Sequence, residues 1–466
     1  MKRRIISITT IISVIICIAN VGLGESLKSG AINKKMLKTI QESVGMDKYT
    51  KAMQNAVSNN EIKKLALNRD LAGKIDHHFA YRIETPSVTN QKSSGRCWLF
   101  TALNVLRPKV IDRFNLEDFE FSESYLFFWD QLEKSNLFLE AIIKTRKEKV
   151  DNREVEWLFK HPVSDGGVWN MMPCLVEKYG MVPKEIMPES YNTENTHMMR
   201  RLMRRKLREH GMKLREYSRA GKSVRFLREK KTEMLSDIYR ILIISLGTPP
   251  DEFIWRYIAK EDSVIQEKIF TPMSFYKEVV QIDLYDYVML MDDPSKEYYK
   301  LYEIKYDRNR YDCQNWTFIN LPSSELKGYA KRSILADEPM YFSCDVGKQL
   351  NEEQGFLALG MYDYESVFGI EFGMDKRERI LSFDSGSTHG MALIGIDTTS
   401  TGEITKWLLE NSWGPERGHN GYLTMTDEWF DEYMFRVVIH KEFLPDRVVD
   451  LLKQEAIKLP PWDPMF

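Results

Sequence analysis

The chain has 466 residues, 29% of them charged and 43% hydrophobic, with a formal net charge of -2. That balance suits an ordinary globular protein with material for two or three domains, or for one catalytic fold with large insertions. It excludes an overall charge that would by itself demand nucleic acid or an acidic surface as partner.

At the amino end, Lys2, Arg3 and Arg4 precede an apolar run over residues 5–18, followed by Gly22-Leu23-Gly24. A basic start, a short greasy stretch and a small-x-small site read as a secretory signal peptide over residues 1–24. The mature protein is then expected to be exported, periplasmic or secreted; the alternative is a chain anchored in the membrane by this segment. Cys17 falls in the leader, which leaves Cys97, Cys174, Cys313 and Cys344. They are far apart and lack C-x-x-C spacing, so neither a disulfide framework nor a zinc site is expected. No metal or cofactor signature is expected either.

Apolar positions at helical period fill residues 36–67. Residues 79–90 read as extended, and 91–95 as a polar loop. A helix is predicted over 97–106, stopped by Arg107-Pro108. Further helices are predicted over 122–138 and 169–179. Residues 194–246 are helical and basic, with Arg204, Arg205, Arg208 and Arg228 among many cations and few acids between them. They read as a positive patch, which raises nucleic-acid binding as a reading. A solvated helix pair is the favoured account. Residues 251–307 are mixed, with aromatic-rich loops. Strands are predicted over 317–321, 340–344, 391–397, 407–410 and 422–425. Helices in the first half and strands in the last third make an α+β chain. The divisions are residues 1–24, 25–190 with the nucleophile, a basic helical insertion over 191–310, a β-rich lobe over 311–458, and an arm over 459–466.

The most informative run is Gln91-Lys92-Ser93-Ser94-Gly95-Arg96-Cys97-Trp98. Cys97 opens a helix, where unpaired N–H groups and the positive dipole end favour a thiolate. Gly95 lets the chain turn into that helix. Gln91 is placed to donate to an oxyanion together with the Cys97 N–H. The plain alternative is a small core cysteine. A nucleophilic thiol needs a base, and His389 stands out among the histidines because Thr388-His389-Gly390 leads into an apolar strand. A turn over residues 397–402 returns the chain to Asn411-Ser412-Trp413-Gly414. That hairpin can set Asn411 beside His389 to orient the ring, with Trp413 as a shield and Cys97–His389 as a thiolate–imidazolium pair. Asp384-Ser385-Gly386 resembles the turn of an aspartic peptidase, but such sites need two, and no second is present.

With these runs in view, the chain resembles the bleomycin hydrolase and aminopeptidase C family of papain-like cysteine peptidases. The resemblance extends over residues 46–465 and rests on residues 91–100, 122–129 and 162–167, on Asp363-Tyr364-Glu365-Ser366, and on the runs at His389 and Asn411. It implies a two-lobed papain-like fold, a helical lobe plus a β-barrel-like lobe, with large helical insertions. It implies a peptidase acting through a thioester acyl-enzyme, with Cys97 as nucleophile, His389 as base and acid, Asn411 as orienter and Gln91 as oxyanion donor. It also implies peptide substrates, a hexameric ring and aminopeptidase action. The chain departs from the family in carrying a leader and in its arm. Relatives run on past a Trp-Asp-Pro-Met stretch, and the terminal carboxylate captures the substrate's α-amino group. Here only Phe466 follows Met465. The alternative expectation is therefore an endopeptidase or oligopeptidase.

Overall fold

The computed structural model describes residues 30–260 and 264–465. The leader and Phe466 lie outside the described residues. The chain divides into two units, one made of the residues up to Leu67 with Asp363–Glu371, the other of Asn68–Tyr362 with 372–466. In the first, helices Lys34–Ser43 and Lys48–Asn59 are each capped by an acceptor side chain, Asn33 and Asp47. The Asp363 N–H donates to the Ala66 carbonyl at 2.7 Å, and the Tyr49 hydroxyl donates to the Ser366 carbonyl.

The second unit holds the candidate site. Its helices include α1 (Cys97–Phe114), α2 (Glu123–Lys144), α3 (Met171–Tyr179), α4 (His197–Arg219), α5 (Val224–Leu246) and α6 (Ser323–Ile334). α1 does not stop at Pro108 but runs six residues further, to a left-handed Asn115. Val110 and Ile111 beyond the proline are buried, and their packing outweighs the lost hydrogen bond. α2 starts where Ser122 caps the Tyr125 N–H.

The basic stretch becomes α4 and α5, packed against each other and against α2. Some of its cations meet acids, whereas Arg204 and Arg208 donate to the Lys160 and Phe159 carbonyls. Arg200 meets Asp165 at 2.8 Å, while Arg228 and Lys231 meet Glu140 at 3.2 and 2.6 Å. Lys206 meets Glu209 at 3.2 Å. The positive patch read from sequence is thus partly offset by acids such as Glu140 on α2 and Glu209 one turn away.

The strands are β1 (Tyr81–Arg82), β2 (Phe253–Tyr257), β3 (Gln266–Phe270), β4 (Tyr287–Met291), β5 (Lys300–Ile304), β6 (Thr317–Asn320), β7 (Met340–Cys344), β8 (Leu350–Asn351), β9 (Phe356–Leu357), β10 (His389–Thr398), β11 (Ile404–Glu410), β12 (Tyr422–Thr426), β13 (Met434–His440) and β14 (Ile457–Leu459). β2 and β3 form a separate ribbon. The others join one sheet in the order β14-β5-β6-β4-β13-β7-β10-β11-β12-β9-β8, with β1 added to β10. β10 and β11 make the expected hairpin, and β10 is buried from His389 through Ile396. α1 lies against β10 and β7, which brings the start of a helix to the start of a strand 292 residues on.

The structure corrects one cysteine expectation. Cys174 on α3 and Cys313 in the loop between β5 and β6 form a disulfide with a sequence separation of 139. Spacing along the chain carried no sign of it, because the pair is made by tertiary packing of that loop on α3. Cys97 and Cys344 are free thiols.

Candidate active site

Each site residue is held by its element and by local chemistry. Cys97 is the first residue of α1 and is partly exposed. Gly95, two residues earlier, has an ordinary negative φ, so its need for glycine is steric. A Cβ there would stand 3.0 Å from the Asp165 Cβ. Asp165 is buried; it takes the Gly95 N–H at 3.4 Å, the Thr196 hydroxyl at 2.6 Å and Arg200 at 2.8 Å. Arg96 is fully buried and forked onto Glu189 at 3.1 and 2.7 Å, which fixes the residue before the thiol.

His389 begins β10 and Asn411 follows the last residue of β11. His389 Nε2 lies 2.8 Å from Asn411 Oδ1. An amide oxygen only accepts, so the ring proton sits on Nε2 and Nδ1 keeps its lone pair. Asn411 Oδ1 also accepts from the Ser412 N–H at 2.8 Å. The Trp413 ring stacks on His389 with centroids 4.8 Å apart and planes at 29°.

Gln91 is buried and fixed at both ends of its amide. Nε2 donates to the Ser94 carbonyl at 2.7 Å, and Oε1 accepts from the Ser412 hydroxyl at 2.7 Å. One Nε2 hydrogen remains for a ligand. The Gln91 N–H donates to the Ser412 carbonyl at 2.8 Å, so the loop before Cys97 is sewn to the residue after Asn411.

Gln91, Cys97 and His389 line one cavity of about 630 Å³. Asn411 stands behind His389. Burial pushes the Cys97 thiol up, against backbone hydrogen bonding at Gly390, Trp98 and Cys97 itself. Burial also lowers His389 to about 4, opposed by the Asn411 hydrogen bond.

The comparisons with known proteins now apply. The Peptidase C1-like family matches residues 31–466. Human bleomycin hydrolase is 38% identical over 450 residues, covering 94% of this chain and 99% of the human protein. The chain belongs to the Peptidase C1-like family. It is a cysteine-type peptidase. Aminopeptidase C of Lactobacillus delbrueckii subsp. lactis is 38% identical over 416 residues, covering 88% of this chain and 92% of its own. The solved structure of PepW from Lactobacillus rhamnosis aligns with a TM-score of 0.90 at 36% identity, over 94% of this chain and 99% of PepW. The fold is the papain-like α+β fold of that family.

Sequence reasoning missed Ser412 as the partner of Gln91, Glu189 as the partner of Arg96, and two charged groups on the cavity wall, Asp307 and Arg436. Arg436 carried a readable signal, a lone cation in the apolar run Met434–His440.

Proposed function

We propose that this peptidase is an exported cysteine aminopeptidase in which Cys97 is the nucleophile. The observation that carries the reading is the His389–Asn411 hydrogen bond at 2.8 Å, behind a cavity lined by both His389 and Cys97. His389 Nδ1 takes the thiol proton as sulfur attacks the peptide carbonyl. The oxyanion is met by the Cys97 N–H and the remaining Gln91 Nε2 hydrogen. His389 then gives its proton to the departing amine, and water, deprotonated by His389, cleaves the thioester. Asn411 keeps the ring in the required tautomer throughout.

Removal of residues from the amino end is supported by the named relatives. The chain's last described residues support it too. Arg436, on the cavity wall, donates to the Met465 carbonyl, and Met465 is buried, so this segment is fastened to a residue of the cavity wall. Export is supported by the leader sequence and by the Cys174–Cys313 disulfide, a bond characteristic of oxidising compartments. A hexameric ring is supported by the family resemblance alone, and sedimentation velocity reports it directly.

The deciding experiment compares peptides of graded length with free and acetylated amino ends, using the wild type and Cys97→Ala. Trimming of free ends only, abolished in Cys97→Ala, is the expected result. Internal cleavage of acetylated peptides would make the protein an endopeptidase, and turnover by Cys97→Ala would refute the nucleophile. Amino-terminal sequencing of the mature protein tests leader removal.

A further inference from the structure

The cavity that holds Cys97 also holds Asp307, the sole carboxylate among its described lining residues. Asp307 follows Tyr306, whose φ is +67°, in the loop after β5. Its backbone is satisfied on both sides. The N–H donates to the Ile304 carbonyl at 3.2 Å, and the carbonyl accepts from the Trp316 N–H at 2.7 Å. The side chain is different. The residue is 4% exposed, and Oδ2 has no hydrogen-bond partner among the described residues.

Three cations share this wall, and none donates to Asp307. Lys134 on α2 is directed to Asp130 at 2.7 Å and to the Ser164 and Gly166 carbonyls at 3.2 and 2.7 Å. Arg308 Nη1 donates to the Cys313 carbonyl at 3.0 Å. Arg436 on β13 donates to the Met465 carbonyl, with its guanidinium 4.3 Å over the Trp316 ring. Arg436 and Lys134 act on Asp307 only through space, and burial still holds its carboxyl up to about 6. A buried carboxylate with an unfilled acceptor position is unfavourable unless something else completes it.

The place is suited to a substrate. Tyr341 on β7 lies within electrostatic reach of both Cys97 and Asp307, and its hydroxyl approaches Gly390, the neighbour of His389. A group held at Asp307 is therefore held in the cavity where the scissile carbonyl must sit.

We propose that Asp307 is a specificity-determining residue whose carboxylate receives a cationic nitrogen of the peptide substrate. The assignment rests on the reading of this cavity as the peptidase site. The shared chemistry is an ammonium or guanidinium, and its source is either the free amino end or a basic side chain.

The test measures binding and turnover separately. Peptide affinity is read by titration calorimetry on Cys97→Ala with and without Asp307→Asn, and kcat and KM on the otherwise wild-type enzyme. Three peptides of one length are used: free-amine neutral, acetylated with one lysine, and acetylated neutral. The expected result is a loss of about tenfold or more in affinity for one cationic peptide, matched by a rise in KM where that peptide is turned over, with affinity for the acetylated neutral peptide unmoved. Loss confined to the free-amine peptide names the amino end as the source; loss confined to the lysine peptide names the side chain. Asp307→Glu, which keeps the charge, restores part of the preference. An equal effect on charged and neutral peptides, or none, overturns the proposal while leaving the Cys97 assignment intact. Should Asp307→Asn fold poorly, the wild type is compared on an amine peptide and its hydroxyl isostere. A preference for the amine below about tenfold then overturns it equally.

Discussion

Arg107 on α1 and Glu410 at the end of β11 tie the helix that opens with Cys97 to the strand that leads into Asn411. Their contact is 2.8 Å, and the two side chains are 1% and 0% exposed. Arg107 also donates to the Ser87 carbonyl and, at 3.1 Å, to its hydroxyl. Arg107→Met leaves a carboxylate buried without its counter-charge, a loss of about 3–5 kcal/mol. At about 2.1 cal/mol/K of unfolding entropy per residue, a chain of 466 residues changes Tm by roughly 1 °C per kcal/mol. The expected fall is therefore about 3–5 °C, read by near-UV circular dichroism at pH 7. Glu410→Leu should fall by a similar amount. The double variant should return to within about 1 °C of wild type, because packed apolar side chains replace a buried pair at little cost. The sign of the pH dependence follows from burial, which raises the Glu410 carboxyl even with Arg107 present. A group raised in the fold favours the native state below its unfolded pKa and loses that contribution as pH rises. The Arg107→Met deficit should accordingly shrink as pH falls towards about 4.5 and be smallest below it. A double variant as unstable as the sum of the two singles would refute the pairing argument.

Other outcomes are equally definite. Because His389 is lowered to about 4 by burial, the native state binds fewer protons than the unfolded chain between that value and the ordinary value near 6.5. Stability should fall as pH drops through this window, and the acid limb of kcat/KM should lie near its lower edge. Trp413→Ala uncovers the ring, so that limb should move up towards 6.5 while kcat falls about tenfold or more; an unmoved limb would show that Trp413 does not exclude water. Cys174→Ser opens a loop with a sequence separation of 139 and should cost about 2–5 kcal/mol in denaturant unfolding, a difference erased when both proteins are fully reduced. Gly414, at φ +83°, would place a Cβ 2.5 Å from Asn90 Nδ2, so Gly414→Ala should destabilise by about 1–3 kcal/mol and disturb the Asn411–Trp413 end of the hairpin.

The candidate site of this chain was easier to read than its framework. Cys97, His389 and Asn411 each close or open a strongly patterned element, so their neighbours in sequence announce them. The hairpin of β10 and β11 then needs only its turn to bring two of them together. β4, β5 and β13 were not legible, although they form the middle and one flank of the sheet. Their sequences are buried on both faces and lack the alternation that marks a half-exposed strand. Asp307 gave no local sign at all: it is one acid in a loop, and only the fold shows that it lines the cavity.

The Cys174–Cys313 bond gives the protein two sulfur requirements of opposite sign. Cys97, the proposed nucleophile, is a free thiol, whereas the loop carrying Asp307 and Arg308 is fastened to α3 by an oxidised pair. Added reductant therefore has two targets. Low concentrations restore an oxidised nucleophile, and higher ones cut the fastening and loosen the wall that selects the substrate. Activity plotted against dithiothreitol should rise and then fall, with the descending arm carried by KM for cationic peptides and absent in Cys174→Ser. The ambient redox potential thus becomes a control on which peptides are taken as well as on how fast they are cut.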